Sequence, residues 1–356
     1  MQNDPTHRHQ PETPYVRIDT DVVRHNIERL QRQADELGVK LRPHIKTHKL
    51  PQIADLQVAA GAHGINCQKI SEAEVFAAAG FTDILITFNL LGRSRLERLR
   101  MLHQQVDLTV TADSLPVIAG LASAGSRSHP LGVLVEIDTG ARRCGVTEPD
   151  QALQLARAIL DAPGLQFSGL MTYPPAGRVE SVMAHLLACS DRLEQEGIRV
   201  ETLSSGGTPD MWQLHRMRGL TEYRCGTYIY NDRSLVANGT CQVQDCALTV
   251  QATVVSVPED GRAILDAGSK ALSSDLIGLQ GYGLLPDYPQ AHLYALSEEH
   301  GHLDVSACPQ RPALGEQLQI IPNHACVVSN LHDRVWLTGD AGRQTPLQVA
   351  ARGCLD

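Results

Sequence analysis

The densest group of reactive side chains lies in Arg42-Pro43-His44-Ile45-Lys46-Thr47-His48-Lys49. Two further cations and two imidazoles crowd Lys46, and such neighbours disfavour a charged amine. The uncharged amine is the form that attacks a carbonyl carbon to make a Schiff base. These eight residues, taken alone, read equally well as a solvated basic loop. A second pair, in His324-Ala325-Cys326, offers an imidazole and a thiol at i and i+2. On a strand those positions share a face, so His324 and Cys326 can hold one ion. Their donor set favours zinc over magnesium, with manganese as the alternative divalent metal. Two protein ligands would leave positions open for water and substrate, as catalytic sites do. The plainer reading of the pair is a buried cysteine beside a hydrogen-bonded histidine.

The elements that must position these groups follow a regular alternation. Val16 to Asp19 reads as a lone strand, and a helix starting near Asp21 puts Val23, Ile27, Leu30, Ala34 and Leu37 on one face. Strand-like runs follow at 39–45, 64–67, 83–88, 106–110, 132–137, 165–172, 200–203 and 223–228. Helical patterns separate them, such as 71–79, 93–102 and 149–160, with Ser71 and Glu74 spaced as a capping box. Eight strand–helix repeats over some 200 residues predict an α/β fold, a (β/α)8 TIM barrel. A doubly wound open sheet is the runner-up, but the glycine fingerprint it would carry after the first strand is replaced by Pro-His-Ile-Lys.

Barrel enzymes work at the C-terminal strand ends. Lys46 follows the first strand, Gln68 the second and Asn89 the third, while Arg143 lies in the loop after the fifth and Tyr173 ends the sixth. Ser204-Ser205-Gly206-Gly207-Thr208 follows the seventh, and Cys225-Gly226-Thr227-Tyr228 closes the eighth. Glycine turns at the last two strands are where such barrels bind phosphate through backbone N–H groups and hydroxyls. An anion site facing a lysine suggests pyridoxal 5'-phosphate, its aldehyde on Lys46 and its phosphate on the turns. Tyr173 would then pack on the ring, and Arg143 would reach its phenolic oxygen or ring nitrogen. A core aromatic and a surface ion pair are the ordinary alternatives.

After about Gly239 helical periodicity gives way to β-rich runs at 247–257, 262–266, 291–296 and 317–321. The expected organisation is a tail over 1–12, a cofactor-binding barrel over 13–240 and a C-terminal all-β domain over 241–356 carrying the metal pair. The strand at 16–19 is expected to join the β-domain. The tail is polar, lacks an apolar signal core and reads as disordered. The formal net charge of −9 argues against a nucleic-acid partner, and no apolar run reaches the ~20 residues of a membrane span. Nine cysteines at irregular spacing, without a Cys-x-x-Cys, read as free thiols in a reducing cytoplasm.

The chain resembles the D-serine dehydratase / D-threonine aldolase family, pyridoxal-phosphate enzymes of the alanine-racemase fold. The resemblance rests on Arg-Pro-His-Ile-Lys-Thr-His-Lys, Glu-Ile-Asp-Thr-Gly-Ala-Arg-Arg-Cys-Gly-Val, Ser-Ser-Gly-Gly-Thr-Pro, Cys-Gly-Thr-Tyr, Asp-Ala-Gly-Ser-Lys-Ala-Leu-Ser-Ser-Asp and Pro-Asn-His-Ala-Cys, in order from about Pro14 to near the C-terminus. It implies an alanine-racemase-like barrel with a C-terminal β-domain, a homodimer, Lys46 as the Schiff-base lysine, and a divalent metal beside the cofactor. Asp266, in the fifth of these motifs, joins the candidates. Relatives often follow the stacking tyrosine with Gly-His, whereas this chain has Tyr173-Pro174-Pro175-Ala176-Gly177. Dehydratases of the family carry His-x-Cys at 324–326, and D-threonine aldolases typically His-x-Asp.

The resulting expectation is dehydration of a D-β-hydroxy amino acid to a 2-oxo acid and ammonia. Lys46 would take the Cα proton, and the metal would assist departure of the β-hydroxyl. Retro-aldol cleavage to glycine and an aldehyde is the alternative, with a metal-bound alkoxide, His44 or His48 as base. A racemase would not need a metal near the β-carbon. A non-catalytic pyridoxal-phosphate carrier is the alternative from another class, and the β-domain with its metal pair argues against it.

Overall fold

The computed structural model describes residues 11–339 and 344–356, so most of the expected tail lies outside the described residues. The chain forms two compact units, one of the residues up to Asn26 with Ile229–Arg352, the other of Ile27–Tyr228 with Gly353–Asp356.

The second unit holds eight parallel strands: β2 (Lys40–Leu41), β3 (Ile65–Cys67), β4 (Asp83–Ile86), β5 (Asp107–Ala112), β6 (Leu131–Ile137), β7 (Leu165–Thr172), β8 (Thr202–Ser205) and β9 (Glu222–Tyr223). Each pairs with its neighbour in chain order and β2 pairs with β9. A parallel bridge between His44 and Asn66 links β2 to β3 and closes the circle. Helices over Ile70–Ala78, Arg93–His103, Pro149–Asp161 and Val179–Glu194 intervene. The buried faces of the last two carry no aromatic residue, in keeping with the shortage of aromatics in the sequence.

Two strands are shorter than the apolar runs suggested. β2 stops at Leu41 and β9 at Tyr223, and three-residue 3-10 turns follow at Ile45–Thr47 and Thr227–Ile229. The backbone between strand and turn stays paired, with His44 N–H donating to the Cys225 carbonyl at 2.8 Å. A Cβ on Gly226 would lie 2.7 Å from Thr47 Oγ1, so only glycine lets the two turns approach. The helix expected to be capped by Ser71 begins one residue earlier, and Glu72, not Glu74, accepts the N–H groups of Gln68 and Lys69.

The first unit is a nine-stranded sheet. It contains β1 (Tyr15–Asp19), β10 (Leu248–Ser256), β11 (Arg262–Leu265), β12 (Gly283–Leu284), β13 (His292–Leu296), β14 (Gly301–Asp304), β15 (Gln317–Pro322), β16 (Arg334–Thr338) and β17 (Gln344–Gln348). β1 lies between β10, antiparallel, and β16, parallel. Two boundaries differ from expectation. The unit starts at Ile229 rather than after Gly239, because Leu235 of a short helix packs on Cys241, Cys246 and Ile321. Residues 353–356 leave it and join the barrel unit, where Lys49 Nζ donates to the Cys354 carbonyl and Ser71 to the Asp356 carbonyl. No helix among the described residues is long and apolar enough to cross a membrane.

Candidate active site

Lys46 sits inside the 3-10 turn after β2, and His44 before it is buried. His44 Nδ1 accepts the Lys46 backbone N–H at 3.4 Å, which puts the ring proton on Nε2, facing Gln68 Oε1 at 3.1 Å. Burial, and then the charges of Lys46 and Arg224, hold the His44 pKa well below its ordinary value, so this imidazole is neutral. Gln68 in turn donates to the Thr87 carbonyl. The two cations expected to crowd Lys46 are instead neutralised by carboxylates. Arg42 pairs with Glu222 at 2.6 Å and Asp83 at 2.5 Å, and Lys49 with buried Glu72 at 3.1 Å. His48 departs from its expected role as well. Its Nε2 meets Gln57 Oε1 and its Nδ1 accepts the Leu50 N–H, and burial drives its pKa down to about 3. Its ring is therefore neutral and held by Gln57 and Leu50.

The two glycine turns meet at the ends of β8 and β9. A Cβ on Gly206, at φ 144°, would collide with the Arg224 backbone. Tyr223 Oη donates to the Gly207 carbonyl at 2.6 Å, and Thr208 Oγ1 accepts the Tyr228 N–H at 3.2 Å. The Tyr228 ring lies in the core, its hydroxyl accepting from Gln57, so Tyr228 meets the turn through its backbone. Beside these groups the buried Ser205 hydroxyl has no partner among the described residues, and Asn89 Oδ1 across the barrel is likewise unmatched. An orphan hydroxyl beside two glycines fits an anion such as a phosphate.

Two residues that sequence reasoning missed complete the interior. Arg224 is buried, donating to Ser204 Oγ at 2.8 Å and to the Thr172 carbonyl at 2.6 Å. Ser204 donates onward to Glu222, so a polar chain runs from Asp83 through Arg42, Glu222 and Ser204 to Arg224. Glu136 of β6 is buried as well, and burial raises its pKa against the pull of Arg143 and Arg224. A charged residue inside an apolar strand was the one available signal. Tyr173 and Arg143 are exposed and paired with each other, the guanidinium 4.3 Å above the ring. The Pro174–Gly177 loop is tied to buried Asp210, which accepts the Gly177 N–H at 3.0 Å.

In the β unit, His324 and Cys326 do not lie on a strand. β15 ends at Pro322, His324 caps the helix Ala325–Leu331, and Cys326 is in its first turn. They still come together, for His324 is hydrogen-bonded to Cys326 and to Asp232, whose Oδ2 is 3.5 Å from Nδ1. Burial lowers the imidazole pKa, but Asp232 and Cys326 outweigh it and raise it to about 10. Asp232 is fully buried and also accepts the Ala325 N–H, so it fixes the ring's orientation as a carboxylate behind a metal-bound histidine does. No cluster of three or more His, Cys, Asp or Glu ligands occurs among the described residues. A divalent ion would have two protein donors and open positions, which fits a catalytic metal. Asp266 accepts from Thr13 and from the Thr253 N–H and so fastens the start of the chain.

Comparison with known proteins matches residues 18–234 to the alanine racemase N-terminal domain and 247–338 to a putative serine dehydratase domain. A D-threonine aldolase from Arthrobacter sp. is 33% identical, covering 97% of this chain and 95% of its own. A D-threo-3-hydroxyaspartate dehydratase from Delftia sp. is 35% identical over 88% and 91%. Its solved structure superposes with a TM-score of 0.87 at 31% identity, over 95% of this chain and 97% of that one. That dehydratase has also been solved with a histidine, and separately with a cysteine two positions on, replaced by alanine, the latter in a metal-free form. The chain belongs to the D-serine dehydratase / D-threonine aldolase family, with the alanine-racemase-like barrel and β-domain. It is an enzyme of the lyase class.

Proposed function

We propose that the chain is a pyridoxal-phosphate- and metal-dependent lyase of D-β-hydroxy amino acids, with dehydration to a 2-oxo acid and ammonia as its main reaction, working as a homodimer. The observation that carries the cofactor is the unmatched Ser205 hydroxyl at the meeting of two glycine turns. Ser205, Gly206, Gly207 and Thr208, with Gly226 and Thr227, would hold the phosphate, and Lys46 the aldehyde carbon. The bound cofactor supplies an electron sink for the pair left at Cα. Lys46 Nζ would take the Cα proton. Neutral His44 holds the Lys46 backbone in place, and Gln68 holds His44. Tyr173, backed by Arg143, would cover the ring. His324 and Cys326 would hold zinc, a Lewis acid for a leaving hydroxyl. A D-threo-3-hydroxyaspartate dehydratase whose replaced histidine and cysteine have the same spacing, the cysteine variant solved in a metal-free form, supports this assignment.

Cleavage to glycine and an aldehyde is the second reading, favoured by the likeness to D-threonine aldolase. Feeding D-threonine to protein loaded with cofactor and zinc decides between them. Release of 2-oxobutyrate and ammonia supports dehydration, and glycine with acetaldehyde overturns it. Cys326→Asp sharpens the test, because it installs the ligand pair of the aldolases and should raise the share of cleavage.

A further inference from the structure

Lys49 closes the turn that carries Lys46. Its N–H donates to the Ile45 carbonyl at 2.8 Å, and its φ of 56° ends the Ile45–Thr47 turn in the left-handed conformation. Glycine is the usual residue at such a stop, because a Cβ there crowds the following carbonyl. A lysine persists in that conformation only where its surroundings hold it. Here they do. The Lys49 side chain is buried, and its Nζ bridges Glu72 Oε1 at 3.1 Å and the Cys354 carbonyl at 3.2 Å. Segment 353–356, which belongs to the barrel unit, is fastened at two further points. The Asp356 main-chain oxygen accepts the Ser71 hydroxyl at 2.9 Å, and the Asp356 carboxylate meets Arg98 at 2.7 Å.

A chain of bonds leads from the same lysine back to Lys46. Glu72 Oε2 accepts the Gln68 N–H at 2.8 Å, Gln68 Oε1 faces His44 Nε2 at 3.1 Å, and His44 Nδ1 accepts the Lys46 N–H at 3.4 Å. The turn is thus held on both sides of Lys46, by His44 before it and by Lys49 after it. Resting on the reading of Lys46 as the Schiff-base lysine, we propose that Lys49 is a positioning residue for it. Glu72 and segment 353–356 tether Lys49, and the tether sets where the backbone of Lys46 presents its amine. The buried ammonium cannot swing away without leaving the Glu72 carboxylate unpaired, which is costly. The turn therefore stays still while the Lys46 side chain moves. Placement of this kind matters because a small shift of a reacting group costs a large share of the rate.

The test compares the wild type with three variants. Lys49→Gly suits the left-handed backbone but cuts the tether, Lys49→Arg keeps it, and removal of residues 353–356 spares the Lys49–Glu72 pair. Hydrogen exchange on the cofactor-free protein reads the turn directly. The peptide spanning 44–49 should exchange about 10- to 100-fold faster in Lys49→Gly, less so in the shortened chain, and near the wild-type rate in Lys49→Arg. Exchange in β5 and β6 should change far less. With cofactor and zinc bound, Lys49→Gly should lower kcat on D-threonine by about 10- to 100-fold and leave KM near its wild-type value, and Lys49→Arg should restore most of the loss. Faster exchange spread evenly over the barrel, or an unchanged kcat in folded Lys49→Gly, would make Lys49 a stability element only and overturn the proposal. Should Lys49→Gly not fold, the shortened chain carries the same comparison with a smaller expected change. Borohydride fixing the cofactor on another lysine of the wild type would strike the Schiff-base reading instead, and the exchange rates would still decide whether Lys49 and segment 353–356 hold the turn.

Discussion

Around Lys46 nearly every polar side chain has a partner inside the barrel unit, and the partners are bonded to one another: His44 to Gln68, Gln68 to Thr87, Lys49 to Glu72, Arg42 through Glu222 and Ser204 to Arg224. Around His324 the set is smaller, with Asp232 behind the imidazole and Cys326 beside it. The first arrangement trades freedom for geometry, as the proposed Schiff-base role of Lys46 would require of a lysine that returns to one place after each turnover. The second, on the proposed reading, leaves the metal's coordination to be completed by what binds. Substitutions in the barrel network should therefore register as lost folding stability as well as lost rate, and those around His324 chiefly as lost affinity.

Lys46→Ala should have the largest effect. It removes the amine proposed to bind the cofactor and take the proton, so product formation should fall by about 10²- to 10⁴-fold, and the yellow imine absorption should vanish from purified protein. Arg42→Met is next. It leaves Glu222, 6% exposed in its side chain, without its cation, and should cost about 3–5 kcal/mol, read as a lower denaturant midpoint. A paired loss of the same size from removing Asp232 would erase the contrast between the two regions.

Acid should expose the barrel before any substitution is made. His48 is neutral in the fold with a pKa of about 3, against 6.5 when unfolded. The unfolded chain takes up that proton first, so stability is full above pH 6.5 and declines as pH falls toward 3, by about 3 kcal/mol at pH 4.5. His48→Asn should flatten that part of the stability–pH curve, and an unchanged slope would remove His48 as the cause. The smallest change is expected from Asp232→Asn. Losing the carboxylate behind His324 should weaken zinc about 10- to 100-fold, measured by competition with a chelator. The amide keeps part of its cap on Leu235, so stability should fall by no more than about 1 kcal/mol.

Much of the candidate barrel site was legible because an apolar run followed by a helical pattern marks where a strand ends, and Lys46, Ser205–Thr208 and Gly226 fall at such ends. Arg224, Glu222, Glu72 and Asp210 were not, since each is defined by a partner far along the chain, and a lone charge in an apolar strand does not announce whom it meets. The nearness of His324 and Cys326 was expected for a wrong local reason. Side chains at i and i+2 share a face on a strand, but here a helix cap and its first turn bring them together after Pro322 ends the strand. The unit boundary was missed because Leu235 belongs to the β unit's core by packing, with no change in composition at Ile229 to mark it.

Because β1 lies between β10 and β16, the sheet cannot be completed from any single contiguous fragment that omits the start of the chain. Severing the polypeptide at Tyr228–Ile229 and producing the halves apart would strand five residues on the wrong piece. The downstream piece would display two bare ladders where one filled slot had been, an invitation to self-association. Grafting Tyr15–Asp19 back through a linker is the modification that would make the β unit a separate, soluble reagent.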